Sequence, residues 1–272
     1  MMRPIPKLAA SLPLLIGGCA GIGAVVPIAM KLGKSLLGAA TENYSPAYGQ
    51  ALDELITAMV TPPAPIAIAP SASARPSGKA LALEVAILEE DTSGGKTNLV
   101  AIEDGAVLHD GGGDPARADK FKISFRSDQS CYVYVLAIDG TGWVTPVFPG
   151  QESAGSNPVE PGRTYLIPEG SRWYALDEYR GIEHVYLVAS VEQRADLERM
   201  QAKFAQMVRP EKTEYRRVDK AAVATRGIVA VGPGTPTHVA SETGEVHEVT
   251  PTSFLADLKG FDLVVTRWFE HQ

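Results

Sequence analysis

The side chains that could attack a substrate are a thiol and a set of hydroxyls. Cys131 opens the run Cys131-Tyr-Val-Tyr-Val-Leu-Ala-Ile, which reads as a buried strand. A cysteine there behaves as a small hydrophobe, whereas a reactive thiolate needs an exposed, electropositive setting. The serines lack the Gly-x-Ser-x-Gly elbow that lifts a hydroxyl to a sheet edge. His109, His184, His238, His247 and His271 are scattered, with no pair at the spacing of three or four that helical metal ligands need. His109-Asp-Gly-Gly-Gly-Asp114 has oxygen ligands but not the register of a calcium loop, and reads as a turn. Gly94-Gly-Lys-Thr97 looks like the tail of a phosphate loop, yet position 90, where that loop needs glycine, is Glu90. The expectation is a chain that is not an enzyme and holds neither metal nor cofactor.

A second set of residues could recognise rather than react. Tyr132, Tyr134, Trp143, Phe148, Tyr165, Trp173 and Tyr174 crowd into residues 132–174, with Arg163 and Arg172 among them. Aromatic and arginine side chains dominate binding hot spots. Tyr132, Tyr134, Trp143, Phe148, Arg163 and Trp173 are therefore the candidate binding surface. The Phe148–Pro161 loop is the place for its edge. The competing reading makes most of these rings the core of a small sandwich.

The other thiol, Cys19, suggests modification. Arg3 and Lys7 precede an apolar stretch, Leu8-Ala-Ala-Ser-Leu-Pro-Leu-Leu-Ile-Gly-Gly, that ends at Cys19. This is the charged-then-apolar order of an export signal. Leu15-Ile16-Gly17-Gly18-Cys19 resembles a bacterial lipobox. That resemblance implies a signal over residues 1–18 and a lipid on Cys19, with Ala20 pointing to the outer membrane. Two alternatives stay open. Leu8–Met30 is long enough to be an uncleaved span, although Pro13, Pro27 and glycines 17, 18, 21, 23 and 33 suit a lipid-facing helix poorly. An ordinary cleaved signal would export the chain equally.

These residues need a scaffold. The chain of 272 residues has 45% hydrophobic and 21% charged residues, an ordinary globular balance. Its net charge is −7, and signal cleavage would remove two positive charges more. No dense basic cluster offsets that, so nucleic acid is not an expected partner. Residues 19–60 read as a membrane-proximal segment. Its helix is Pro46–Val60, capped by Ser45, with Tyr48, Leu52, Leu55, Ile56 and Met59 on one packing face. Residues 61–79 are rich in Pro, Ala and Ser and read as a spacer.

From residue 80 to 272 short strands alternate with Gly/Pro/Asp turns. Strands are expected over 81–88, 98–103, 120–126, 131–138, 143–148, 163–167, 184–189, 228–231 and 263–269. Phe121, Ile123 and Phe125 alternate with Lys122, Ser124 and Arg126, which predicts one dry and one wet face. Ser190 and Gln193 form a capping box ahead of a helix whose stripe is Leu197, Met200, Phe204, Met207 and Val208, ended by Pro210. The expected fold is mainly β, sandwich-like, with one covering helix.

Four pieces in order then carry a resemblance. They are Phe121-Lys-Ile-Ser-Phe followed by Cys131-Tyr-Val-Tyr-Val-Leu; Asp139-Gly-Thr-Gly-Trp with Val147-Phe-Pro149; Asn157-Pro-Val-Glu-Pro-Gly-Arg-Thr-Tyr-Leu-Ile-Pro168; and Gly181-Ile-Glu-His-Val-Tyr-Leu-Val-Ala-Ser190. The run Lys120–Ser190 resembles the bacterial family catalogued as domain of unknown function 4384. Such domains occur in exported lipoproteins and beside caspase-like peptidase, kinase or repeat modules, which implies an accessory or sensing role and supplies no catalytic residues. The expectation that follows is a lipid-anchored envelope protein on the periplasmic face of the outer membrane. It would act as a non-catalytic interaction or scaffolding module for an envelope protein. The alternative is a module that senses a ligand or glycan such as peptidoglycan.

Overall fold

The computed structural model describes residues 25–61, 80–91, 98–112, 114, 117–150, 155–256 and 262–272. The expected signal, Cys19 and nearly all of the spacer lie outside the described residues. Two helices lead, α1 (Val25–Asn43) and α2 (Pro46–Val60). Nine strands follow: β1 (Leu81–Asp91), β2 (Asn98–Ala101), β3 (Ala106–Leu108), β4 (Lys120–Ser127), β5 (Tyr132–Ile138), β6 (Val144–Phe148), β7 (Thr164–Ile167), β8 (Tyr174–Ala175) and β9 (Gly181–Ser190). Helix α3 (Ala195–Ala205) precedes β10 (Ile228–Pro233), β11 (Thr237–Ala240), β12 (Val246–Val249), β13 (Thr252–Ala256) and β14 (Leu263–His271).

The fold is mainly β and is built in four layers. One sheet has the order β10-β13-β1-β4-β7, with β2 and β8 paired alongside β1 and β4; the other has the order β3-β14-β9-β5-β6. Their facing surfaces follow from the period of two along each strand. Leu83, Val85 and Ile87 on β1 and Ile123 and Phe125 on β4 meet Val133 and Val135 on β5, Val185 and Leu187 on β9, and Val265 and Phe269 on β14. Phe125 stacks on Tyr165 and meets Phe148 edge-on, both at centroid distances of 5.0 Å.

The second sheet is apolar on its outer face too. Tyr134, Leu136, Ile138, Tyr186 and Val188 project there and are buried under all three helices, through Leu36, Ala39, Leu52, Leu55 and Met59 and through Leu197 and Phe204 of α3. Helix α2 has the bounds that its pattern predicts. The Ser45 side chain accepts from the Tyr48 amide and Pro46 fills the first turn. Of its predicted stripe, Tyr48, Leu52, Leu55 and Met59 are buried and Ile56 is partly so. Both ends of the spacer therefore belong to one packed body. Buried Arg194 donates to the Ala58 carbonyl (2.7 Å) and ion-pairs with buried Asp262, while Arg226 donates to the Val60 carbonyl (3.0 Å).

Four expectations need correction. Helix α1 is additional, because its segment reads as a continuation of the apolar signal. Strands β3, β8, β11, β12 and β13 are additional as well; they are short, and β13 gains its pairing only from distant partners β1 and β10. The face of β4 predicted to be wet is dry: Lys122 and Ser124 are buried. The β11–β12 ribbon covers that side of the sheet, where Val239 and Val249 pack with Ala86, Leu88 and Leu99. Lys122 Nζ donates to the Gly170 carbonyl (2.6 Å) and lies 4.8 Å from the Trp173 ring centre. Finally, Ser190 does not cap α3. It is the last residue of β9, held in register with Tyr132, and the cap position is Arg194 without a side-chain cap bond. The helix ends at Ala205, so Val208 lies beyond it, 88% exposed.

The burial of α2 sets a stability expectation. Leu52→Ala, which empties a fully buried position between helix and sheet, lowers the unfolding free energy by about 3 kcal/mol, read from urea unfolding. A loss under about 1 kcal/mol would mean that the helix pair is not seated on the sheet in solution.

Candidate functional site

The tight turn between β5 and β6 organises the polar end of the sandwich. Asp139 Oδ1 accepts from the Thr141 amide (2.8 Å), the Thr141 hydroxyl (2.7 Å) and the Trp143 amide (3.0 Å). This is an aspartate doing in a turn what a backbone carbonyl would do elsewhere. Gly142 holds φ +85°, and a Cβ there would stand 3.2 Å from Ala40 of α1. Tyr48 of α2 stacks on Trp143 at 5.1 Å, and its hydroxyl accepts from the Val144 amide (2.8 Å). The helix pair and the turn are thus locked together.

Arg209 arrives from beyond α3 and closes this end. Its guanidinium pairs with Asp139 Oδ2 at 2.7 Å, donates to the Thr141 hydroxyl at 2.7 Å and lies 3.3 Å from the Tyr179 ring centre. Below it sits Glu183, on the inward face of β9 in phase with Val185 and Leu187. Glu183 Oε1 accepts from the Gly140 amide (3.0 Å) and is 3.3 Å from His271 Nδ1. Burial pushes the Glu183 carboxyl up to about 7 against the weaker opposing pull of those partners. Burial alone would lower the His271 pKa, but the bond and charge of Glu183, then Asp177 and Asp110, outweigh it and raise it. Asp110 itself is held down at about 2, first by its bidentate pair with Arg180 and then by the Gly112 amide.

These groups line a cavity of about 190 Å³ between the two sheets. Its polar side is Asp139, Asp177, Glu183, Arg209 and His271, and its apolar side includes Phe121, Ile123, Val147, Tyr174 and Leu176. A buried carboxylate–imidazole pair can exchange a proton or hold a polar ligand group. The lining includes neither a cysteine nor a serine, and its hydroxyls are those of Thr145 and Tyr174. Among the described residues, no group of three His, Cys, Asp or Glu side chains is placed to hold a metal ion.

The six residues of the predicted surface do not form one. Tyr132, Tyr134 and Trp143 face the helices, with Tyr134 fully buried and its hydroxyl accepting from the Arg194 amide (2.9 Å). Phe148 is fully buried between the sheets, and Trp173 packs on the opposite outer face, under the ribbon. Arg163 is on the rim, paired with Glu160 and 5.0 Å from the Tyr165 ring centre. The reading of most of these rings as core is the one that their burial supports. Cys131 is likewise buried, 3.3 Å from the Ser127 hydroxyl, with burial pushing its thiol up to about 11. The Asp139, Glu183, Arg209 and His271 cluster was not singled out from the sequence. Its only sequence signal is phase: Glu183 is in phase with Val185 and Leu187 on β9, and His271 with Val265, Arg267 and Phe269 on β14.

Comparison with known proteins gives one match. Residues 116–193 match the family model described as domain of unknown function (DUF4384). The matched stretch runs from before β4 to just past β9, in accord with the resemblance seen over Lys120–Ser190. No curated protein and no solved structure matches the chain. The match includes Asp139, Asp177 and Glu183 but not Arg209 or His271, so the cavity is completed by the rest of the chain.

Two outcomes follow from the site. In a Cys19→Ala chain, a thiol reagent such as Ellman's titrates no cysteine in the native state and one after unfolding; fast native reaction would overturn the buried, unreactive assignment of Cys131. The second concerns pH. A carboxyl whose folded pKa lies above its unfolded value contributes stability at low pH that is lost as pH rises from the unfolded toward the folded pKa. The unfolding free energy of the wild type relative to Glu183→Gln should therefore fall between about pH 4.5 and 7, by about 1–2 kcal/mol. The difference isolates Glu183 from His184, whose pKa burial lowers to about 4, an effect of opposite sign. A pH-independent difference would place Glu183 in an ordinary solvated setting.

Proposed function

We propose that this chain is a lipid-anchored bacterial envelope protein, acylated at Cys19, whose β-rich body is a non-catalytic interaction module at the periplasmic face of the outer membrane. The anchoring half is supported by the order Arg3 and Lys7, apolar stretch, Gly17-Gly18-Cys19. No described helix is long and apolar enough to cross a membrane. The observation that carries the interaction half is the edge strand β10. Among the described residues it pairs with β13 on one side only, and Val229 and Val231 are each 60% exposed on it. An edge with unpaired amides and apolar side chains suits the addition of an extended strand from an envelope protein.

A second reading, a ligand-sensing module, is favoured by a different observation. The aromatic concentration that first suggested it is spent in three separate cores, but the Glu183–His271 cavity offers a small, mixed polar and apolar site.

The test is the mass of the N-terminal peptide from protein made in a bacterial host, beside Cys19→Ala, together with co-purification from membranes. The expected result is a diacylated Cys19 in the wild type and none in the variant. One stoichiometric envelope protein should co-purify with the wild type and be lost from Val231→Lys, which stays folded. An intact Met1 terminus embedded in membrane would replace the lipoprotein by a membrane anchor. Hydrolysis of cell-wall fragments by the purified chain would overturn the non-catalytic assignment.

A further inference from the structure

Little chain lies between the proposed lipid and the body. Only Ala20–Ala24 separate Cys19 from Val25, where α1 begins. At about 3.5 Å per residue, even a fully extended chain holds that end of α1 within about 20 Å of the bilayer. The Pro-rich stretch adds nothing to this reach, because it follows the helix pair and the helices are packed on the second sheet. Anchoring at Cys19 then holds the β body at the membrane surface and not on a stalk.

The helices also set which end of the body faces the lipid. Helix α2 starts beside the β5–β6 turn, where the Tyr48 hydroxyl accepts from the Val144 amide. It finishes at Arg194 and Arg226, which donate to the Ala58 and Val60 carbonyls. Helix α1 lies alongside and runs the other way. Its Asn43 side chain donates to the Thr141 carbonyl (2.9 Å), Thr41 packs on Gly49, and Leu36 shares a core with Leu52 and Met59. The start of α1 thus belongs to the Arg226 end, and the Glu183–His271 cavity to the far one.

Strand β10 begins two residues after Arg226. Its first residue, Ile228, pairs with Ala256, which pairs with Leu81 at the start of β1. The edge strand therefore opens at the membrane-facing end. Its sequence, Ile-Val-Ala-Val-Gly-Pro, holds none of the charged residues that commonly blunt an edge. The bulge between Ile228 and Ala230, with Pro233 at the end, leaves only a short stretch open among the described residues. A short strand pairs weakly. Confinement in one membrane supplies the effective concentration that such a pairing lacks. Lipid itself is no substitute, since acyl chains offer nothing to backbone amides.

We infer that β10 receives a short extended segment of an integral protein of the same membrane, with apolar side chains that pack against Val229 and Val231. The inference rests on anchoring at Cys19 and on strand addition at β10, and goes beyond them in placing the partner within the bilayer.

The experiment is photocrosslinking in intact bacteria, with p-benzoylphenylalanine in place of Val231 or, as a control beside Arg209 at the far end, of Val208, which is 88% exposed. The expected result is one protein adduct from position 231, resistant to extraction by alkaline carbonate, and none of it from position 208. A flexible Gly/Ser insertion of about 20 residues between Ala24 and Val25 should lower its yield at least about threefold by diluting the edge at the membrane. An adduct to a protein that carbonate extracts would overturn the membrane placement and leave strand addition standing, as would a yield that the insertion leaves unchanged. A dimer of this chain, a lipid adduct alone or no adduct would overturn the inference together with strand addition from an envelope protein. The mass of the N-terminal peptide from the same cells reports anchoring separately, and an unacylated Cys19 would overturn the inference at its premise.

Discussion

Strand β9 is dry on both faces, and the rest of the architecture answers to that. Val185, Leu187 and Ala189 face one way and Tyr186 and Val188 the other, all buried. A strand of this kind at the centre of its sheet cannot be satisfied by a two-layer sandwich with water on the outside. The first sheet covers one face, and the helices, with the segment through Val218, Ala222 and Ala224, cover the other. The helix pair that precedes the spacer is therefore part of the β body. The buried Arg194, reaching Asp196, Asp262 and the Ala58 carbonyl together, ties its far end down.

Charge in such a body is confined to places where it is paired or where it is useful. Most buried ionic groups here have structural work: Arg267 pairs with Asp104 and donates to the Ile102 carbonyl, and Lys122 caps the Gly170 carbonyl. Glu183 and His271 pair with each other, and both line a cavity between the sheets. The matched family segment supplies the carboxylates, while His271 comes from the last strand and Arg209 from beyond α3. A copy of that segment alone would lack β1 and β14, the strands that pair with β4 and β9, so neither the sheets nor the cavity would be whole.

Much was legible in the sequence where local pattern and tertiary burial agree. Helix α2 shows its cap, its first-turn proline and its stripe. Strands β1, β4, β5 and β9 are long enough for alternation or a continuous apolar run to be read. The resemblance over Lys120–Ser190 follows from the same strands. The aromatic concentration misled in its functional sense, because residues one apart on β5 and β6 point to opposite faces. Nearness in sequence thus sent Tyr134 and Phe148 to different cores.

By itself the sequence determined a mainly β body, the bounds of α2, nine of the strands and the buried character of Cys131, since each depends on side chains within one element. The tertiary structure alone decided that α1 and α2 lie on the second sheet, that the Lys122 face is covered, and that Glu183 of β9, His271 of β14, Asp139 of the turn and Arg209 meet. Those outcomes depend on contacts between residues far apart in the chain, such as Lys122 under the β11–β12 ribbon or Glu183 beside His271, 88 positions away. No local period encodes which distant face a side chain meets; only the packing of whole layers does.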